Sequence, residues 1–232
     1  MILSQKHGFV FTCWRGKMES EYVTRRMRSG FSDRLALLIT KVLRFSADLF
    51  FRKRYGHRAV VLETIAAVPG MVGGLCQHLR SLRNMSDDNG WIKILLDEAA
   101  NERMHLMTFV EIAKPTRAER YLILIMQFLF FVHYLFIYLV SPKLAHRIVG
   151  YFEEEAVRSY TEYLRLVEDG FIENVAAPKL AIDYWNLDGE AKLSDVITVI
   201  RKDEENHRDV NHSIADKIKI SSGKEPNLKT SM

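Results

Sequence analysis

Two short runs in the chain carry the same pair of residues at the same spacing. "NERMHL" sets Glu102 and His105 three residues apart, and "KDEENH" does the same with Glu204 and His207. On an α-helix that spacing puts both side chains on one face. Trp91, Leu95, Glu98, Phe109 and Ile112 share the stripe of the first pair; Ile197, Ile200 and Ile214 share that of the second. Both pairs therefore point inward. A single Glu-x-x-His can be a solvated turn or a hydrogen-bonded core pair. Two inward pairs are harder to explain that way, because a buried carboxylate needs a proton, a counter-charge or a metal.

Helical bundles hold two iron or manganese ions with Glu-x-x-His from two helices and one Glu from each of two others. Both single carboxylates can be found. In "YFEEEAVRSY" only Glu153 lies on the apolar stripe Val149, Ala156, Tyr160, Leu164 and Val167. In "VLETIA", Glu63 shares its face with Ala59, Ala66 and Gly70, whose small side chains leave room beside a cluster. The candidate metal ligands are thus Glu63, Glu102, His105, Glu153, Glu204 and His207. Four carboxylates would balance the charge of two divalent ions.

The elements that must position these groups are helices. With 232 residues, five prolines, twelve glycines and no strand-like alternation, the chain reads as one all-α domain. The expected core covers 31–220, between a tail at 1–30 and another at 221–232. Ser32 or Asp33 can cap a helix running over 33–52. "HRAVVLETIAAVPGMVGGLCQHLRSL" reads as a helix interrupted at Pro-Gly, and Pro115 ends the helix that carries "NERMHL". Ser141-Pro142 can start the helix that bears Glu153. Cys13 and Cys76 form neither a zinc pattern nor a disulfide framework.

Charge is unevenly spread. Residues 1–58 hold 13 Lys/Arg against 4 Asp/Glu, a balance of +9, which leaves −5 for the rest of a chain of net +4. A basic, partly apolar first quarter without a nucleic-acid motif points to anionic lipid and away from nucleic acid. The opening "MILSQKHGFVFTCWRGK" makes a poor secretory signal, and a short organellar transit peptide stays open. Tyr121 to Val140 contains no Asp, Glu, Lys or Arg and is long enough to cross a bilayer. Crossing would put His105 and Glu153 on opposite sides of about 30 Å of hydrocarbon, where they could not share a metal site. The expectation is a monotopic protein, with helices 33–52 and 119–140 forming an apolar plateau rimmed by Lys and Arg.

"LET" at 62–64, "NERMHL" at 101–106, "EEEA" at 153–156 and "DEENH" at 203–207 resemble the signature boxes of the alternative oxidases, and the similarity runs from about Asp33 to Asp216. The resemblance implies a ferritin-like four-helix di-iron bundle with two additional membrane-docking helices, usually a homodimer. It implies two Fe ions per chain and oxidation of ubiquinol by O2 to give water, resistant to cyanide and without proton pumping. Tyr160 then matches the buried tyrosine near the irons. Asn101, Asp203 and His146 match positions that orient ligands through hydrogen bonds, and Arg58, Leu62, Glu155 and Ser159 match the quinol cavity. Phe152, Lys202, Ala59 and Ser159 depart from residues common in the family, and Cys13 is not equated with a regulatory cysteine. A di-iron quinone-biosynthesis hydroxylase, a plastoquinol terminal oxidase, and a membrane anchor or ferritin-like iron-storage module are the rival readings. The expected location is a bacterial inner membrane on its cytoplasmic face, otherwise the mitochondrial inner membrane on its matrix face.

Overall fold

The computed structural model describes residues 30–51 and 55–218. The expected tails at 1–30 and 221–232, Cys13 and the expected helix end at residue 52 lie outside them, apart from Gly30. Seven α-helices are described: α1 (Phe31–Phe51), α2 (Tyr55–Asn84), α3 (Trp91–Ala113), α4 (Arg117–Val140), α5 (Pro142–Glu168), α6 (Lys179–Trp185) and α7 (Leu193–Lys217). The extended pairing among the described residues is one isolated bridge between Ala176 and Lys192.

Local chemistry sets several of the helix ends. Thr116 caps α4 through a reciprocal pair with Glu119, at 3.3 Å from Glu119 N to Thr116 Oγ1 and 2.8 Å from Thr116 N to Glu119 Oε2. Ser141 Oγ accepts from Leu144 N at 3.2 Å with Pro142 in the first turn, as the sequence predicts for α5. Lys114 and Asn186 end α3 and α6 in the left-handed region. The start of α1 differs from expectation. The helix begins at Phe31, and Asp33, in place of capping it, is buried in the first turn with its Oδ1 3.0 Å from Arg147 Nε. Nor does Pro69 break its helix: α2 runs through it as 30 continuous residues. Proline costs a helix one backbone bond, and packing on both sides of α2 compensates.

Four helices form the bundle. α2 packs along α3 and α5 along α7, while α3 meets α7 and α2 meets α5 to close the square. The α2–α3 contact is close because of Gly70. A Cβ there would stand 2.3 Å from the Leu95 carbonyl oxygen, which is backbone and cannot yield. Phe109, Tyr160, Tyr163, Ile197 and Ile200 fill one end of the interior; Val68, Val72, Tyr134, Tyr138 and Val149 fill the other.

Two helices lie outside the square. α1 rests on α5, and α4 rests on α2 and α5. Both α2 and α4 are long and apolar enough to cross a membrane, but the apolar window of α2 is 67% buried and that of α4 only 11%. α2 is therefore a core helix. α4 buries Tyr134 and Tyr138 and exposes Tyr121, Leu124, Phe128, Phe136 and Leu139, with Arg117 and Arg120 exposed near its start. On α1, Phe31, Leu38, Val42 and Phe45 are exposed beside Arg34 and Lys41.

Candidate metal centre

The inward stripes of α2, α3, α5 and α7 converge on one buried cluster. Ligand-type atoms of Glu63, Glu102, His105 and Glu204 all lie within 4.8 Å of one another. His105 Nδ1 sits at the hub, 3.4 Å from Glu63 Oε2, 3.3 Å from Glu102 Oε2 and 3.3 Å from Glu204 Oε1. His207 Nδ1 adjoins it, 2.6 Å from Glu102 Oε1 and 3.8 Å from Glu204 Oε2. The Glu153 carboxyl pairs with that of Glu204. All six predicted ligands are thus buried and neighbours.

The donor atoms are what a metal needs. Glu63 Oε2, both carboxylate oxygens of Glu102 and of Glu204, and Nδ1 of His105 and His207 are buried without a hydrogen-bond partner, despite their proximity. Proteins rarely leave buried polar atoms so, and seven in one place call for an explanation. They approach one another without hydrogen-bond alignment. Lone pairs converging on shared cations account for this, and oxygen with imidazole nitrogen suits iron. The residues fit a di-iron group.

Protons alone settle the charge less well. Burial and the charges of Glu204 and Glu102 push the Glu63 carboxyl well above its ordinary value, and burial with the Glu204 charge does the same to Glu153. Burial opposes ionisation of Glu102, but His105 and His207 overcome it and hold that carboxyl below its usual range. Burial likewise opposes a charged His207, yet Glu102 and Glu204 carry it up to about 11. Without metal, protons favoured on Glu63, Glu153 and His207 offset part of the charge. Two dications would replace those protons.

The surrounding groups fix the candidate ligands. His105 Nε2 faces Asp203 Oδ2 at 3.3 Å, and that oxygen also accepts from Trp185 Nε1 at 2.8 Å and Asn101 Nδ2 at 3.1 Å. Burial works against its charge, but these bonds hold the Asp203 carboxyl below its ordinary value. A carboxylate on Nε2 keeps the proton there and turns Nδ1 toward the cluster. Tyr160 donates its hydroxyl to Glu63 Oε1, and its ring stacks on Phe109 at 5.7 Å. Burial and the Glu63 charge raise the Tyr160 phenol well above its usual value, so it keeps its proton.

His146 lies one hydrogen-bonding residue further out than Asp203. Its Nδ1 lies 2.9 Å from Asn211 Oδ1, and Asn211 in turn donates to the His207 carbonyl at 3.0 Å. From α5, His146 reaches α7 through that amide, and its ring meets Trp91 of α3 at 5.8 Å. Of the expected cavity residues, Arg58 is buried, Leu62 and Ser159 are half-buried, and Glu155 accepts from Arg44 of α1 and from Arg158 Nη1.

The sequence placed Glu98 on an inward stripe without giving it a role, and it did not single out Asn211, Trp185 or Tyr184. Glu98 lies on the stripe of Glu102 and accepts from Asn211 Nδ2 at 3.0 and 2.9 Å. Asn211, one turn beyond His207, could have been found by continuing that helix's stripe. Trp185 and Tyr184 carry no periodic signal, because α6 is only seven residues long. A second buried network ties three helices: Arg147 meets Asp33, Asp216 at 2.6 Å and His212 at 2.8 Å, and His212 Nε2 meets Glu154 at 3.1 Å.

The comparisons with known proteins agree with this geometry. The family model described as alternative oxidase matches residues 14–216, so the similarity starts well before the Asp33 expected from the motifs. A protein named ubiquinol oxidase 2, mitochondrial, from Glycine max is 56% identical over 203 residues, covering 88% of this chain and 61% of the relative. Ubiquinol oxidase, mitochondrial, from Mangifera indica is 58% identical over 186 residues, covering 80% and 58%. Ubiquinol oxidase 1a, mitochondrial, from Oryza sativa subsp. japonica is 58% identical over 184 residues, covering 79% and 55%. The chain spans roughly three fifths of the length of these relatives, by the shares covered. Their names say mitochondrial, and the expectation of a bacterial membrane finds no support in them. By a match over most of its length and a buried donor set that fits two irons, the chain belongs to the alternative oxidase family.

Proposed function

We propose that the chain is a membrane-bound di-iron quinol oxidase that couples oxidation of ubiquinol to reduction of O2 to water. The observation that carries this is the convergence of unpartnered buried donor atoms from Glu63, Glu102, His105, Glu204 and His207. With Glu153 beside Glu204, these residues would hold two iron ions inside the core domain 31–220. Bound iron supplies the redox change and the activation of dioxygen.

The remaining work falls to this chain's own side chains. Asp203, steadied by Asn101 and Trp185, holds the His105 tautomer that leaves Nδ1 free for metal. Tyr160 holds a proton at its phenolic oxygen, aimed at Glu63, and can release it as oxygen is reduced. Phe109, Ile197 and Ile200 shut water out of that side. Arg58, Leu62, Glu155 and Ser159 would line the quinol cavity, with the Arg58 guanidinium able to donate to a quinol oxygen.

The exposed apolar surfaces of α1 and α4, flanked by Arg and Lys, support docking on one leaflet. The mitochondrial inner membrane is the reading its relatives' names favour. Met71, Leu75, Leu79 and Leu82 form an exposed stripe along α2, with Leu96 and Met107 exposed on α3. Such a stripe suits a self-complementary contact between two copies, hence a homodimer.

Oxygen uptake by membranes bearing the chain, with ubiquinol and cyanide present, tests the proposal. Uptake with water as product and about two irons per chain is expected, from the ligand pattern. It should vanish in Glu102→Ala and His105→Ala. A hydroxylated quinone product would overturn the oxidase reading in favour of a hydroxylase.

A further inference from the structure

A polar cavity of about 480 Å³ lies where α2 ends and α3 begins, lined among others by Gln77, Arg80, Asn84, Asp88 and Trp91. A second cleft of about 320 Å³ shares Gln77, Arg80 and Asn84 with it and reaches Tyr138. From these clefts a file of buried polar groups leads to the metal cluster. Gln77, itself buried, donates to the Tyr138 hydroxyl at 3.4 Å. The Tyr138 ring meets the His146 ring edge-on at 5.6 Å, and Trp91 flanks the same imidazole at 5.8 Å. His146 bonds Asn211, and Asn211 bonds Glu98, which lies one helical turn from Glu102.

Two atoms along this file are unsatisfied. The Asn211 amide nitrogen is spent on Glu98 and the His207 carbonyl, so its oxygen faces His146 Nδ1, and that nitrogen must carry the hydrogen. His146 Nε2 is then a bare acceptor, buried without a partner. The hydroxyl of Tyr134, whose ring is tilted against that of Tyr138 at 6.3 Å and which feels the Glu98 charge, is a second. Buried unsatisfied polar atoms are where proteins hold ordered water, and Trp91 and Tyr138, which line the two clefts, both flank the His146 ring.

The file also lies away from the proposed quinol wall. Gln77 follows Arg58 by nineteen residues on one continuous α2, about 28 Å at the rise of an α-helix. Electrons and protons therefore need not share an entrance.

We infer that the chain Gln77–Tyr138–His146–Asn211–Glu98, completed by water, is an aqueous proton port for the metal cluster, with Glu98 as its last carrier. This rests on the oxidase reading. Overall, two quinols and one O2 give two quinones and two waters, so four protons reach oxygen for each four electrons. A proton passes from cleft water to the Glu98 carboxylate, then from Glu98 toward the cluster, leaving Glu98 to be reloaded. No electron moves along the file. Protons released by quinol at its own wall return to solvent, which balances those taken up here.

The test has two arms on the full-length, iron-loaded protein. In the first, infrared difference spectroscopy follows the carboxylic-acid carbonyl band of Glu98 at mildly acid pH, identified by its loss in Glu98→Gln, as solvent is switched to D2O. Rapid exchange is expected in the unaltered chain, and severalfold slower exchange in Gln77→Leu and Tyr138→Phe, with Gln77→Glu restoring it. Because this arm uses neither quinol nor O2, it stands or falls apart from the oxidase reading. In the second, Glu98→Gln should lower kcat for quinol-dependent oxygen uptake by about a hundredfold, the scale of a lost acid-base carrier. It should also raise the solvent isotope effect and leave the quinol KM unchanged. Three results would overturn the port: no carboxylic band belonging to Glu98, exchange in Gln77→Leu as fast as in the unaltered chain, or an unchanged kcat and isotope effect in Glu98→Gln.

Discussion

Replacing Asp203 tests how far the site depends on groups that never touch the metal. Its Oδ2 takes three contacts: Trp185 Nε1 at 2.8 Å, Asn101 Nδ2 at 3.1 Å and His105 Nε2 at 3.3 Å. In Asp203→Asn an amide oxygen can take the same position, so the geometry survives while the negative charge goes. A hydrogen bond to a charged group contributes about 1.5–3 kcal/mol against about 0.5–1.5 for a neutral one, so the His105 bond alone weakens by about 1 kcal/mol. The imidazole also becomes a poorer donor, and groups in such positions typically govern about 10- to 100-fold in metal affinity, or about 1.4–2.7 kcal/mol. Asp203→Ala should cost more, because it strands three N–H groups. The assay is anaerobic titration of metal-free protein with Fe(II) or Co(II) against a chelator. Lys202→Ala, an exposed neighbour, is the control and should bind normally. Affinity in both Asp203 variants equal to that of the parent would refute the reasoning, since His105 would then need no orienting carboxylate.

Other consequences follow from particular contacts. Gly70→Ala places a Cβ 2.3 Å from a backbone oxygen, and Gly150→Ala places one 2.6 Å from the His212 ring. Each should destabilise by about 1–3 kcal/mol in chemical denaturation, the first more because backbone cannot move aside. His207, held up to about 11 in the fold, stabilises the metal-free protein fully below its unfolded value of about 6.5 and loses that contribution as pH rises through about 11. Metal-free protein should therefore weaken across that alkaline range, and His207→Gln should flatten the dependence measured by denaturant midpoint. Phe128 and Phe136 are 66% and 68% exposed on α4. Phe128→Glu with Phe136→Glu should leave the circular dichroism spectrum intact. Losing about 1.5–3 kcal/mol of burial per ring should reduce sedimentation with anionic vesicles at least tenfold.

What the sequence disclosed follows from the range of its signals. The bundle helices and the inward faces of Glu63, Glu102, Glu153 and Glu204 were legible because period 3.6 is a local property that repeats for many turns. Asp33 was misread as a cap because its partner, Arg147, lies more than a hundred residues away on α5, and a buried ion pair leaves no local mark. Continuity of α2 through Pro69 depends on tertiary packing that overrides a strong local penalty. Trp185 and Asn101, which steady Asp203, were invisible as a trio for the same reason. Asn101 came with a role from the family resemblance, whereas the role of Trp185 emerged only in the folded chain.

The most distant consequence of the metal ligands concerns the membrane. α4 passes every local test for a spanning helix: 24 residues, strongly apolar, with only 11% of its apolar window buried. Composition cannot tell such a helix from one that lies flat, since both present Leu, Ile and Phe to lipid. Topology can. The helix before it carries Glu102 and His105, the helix after it carries Glu153, and the Glu153 carboxyl pairs with Glu204, which stands 3.3 Å from His105. Both ends of α4 thus return to one bundle around one cluster. Tyr134 and Tyr138 turn from that bundle's wall toward its interior, while Phe128 and Phe136 face out. A spanning α4 would put α3 and α5 on opposite sides of about 30 Å of hydrocarbon, so that Glu102 and His105 could no longer meet Glu153 and Glu204 in one cluster. On the proposed membrane-bound reading, the buried charges and not the apolar run would decide that α4 lies along one leaflet.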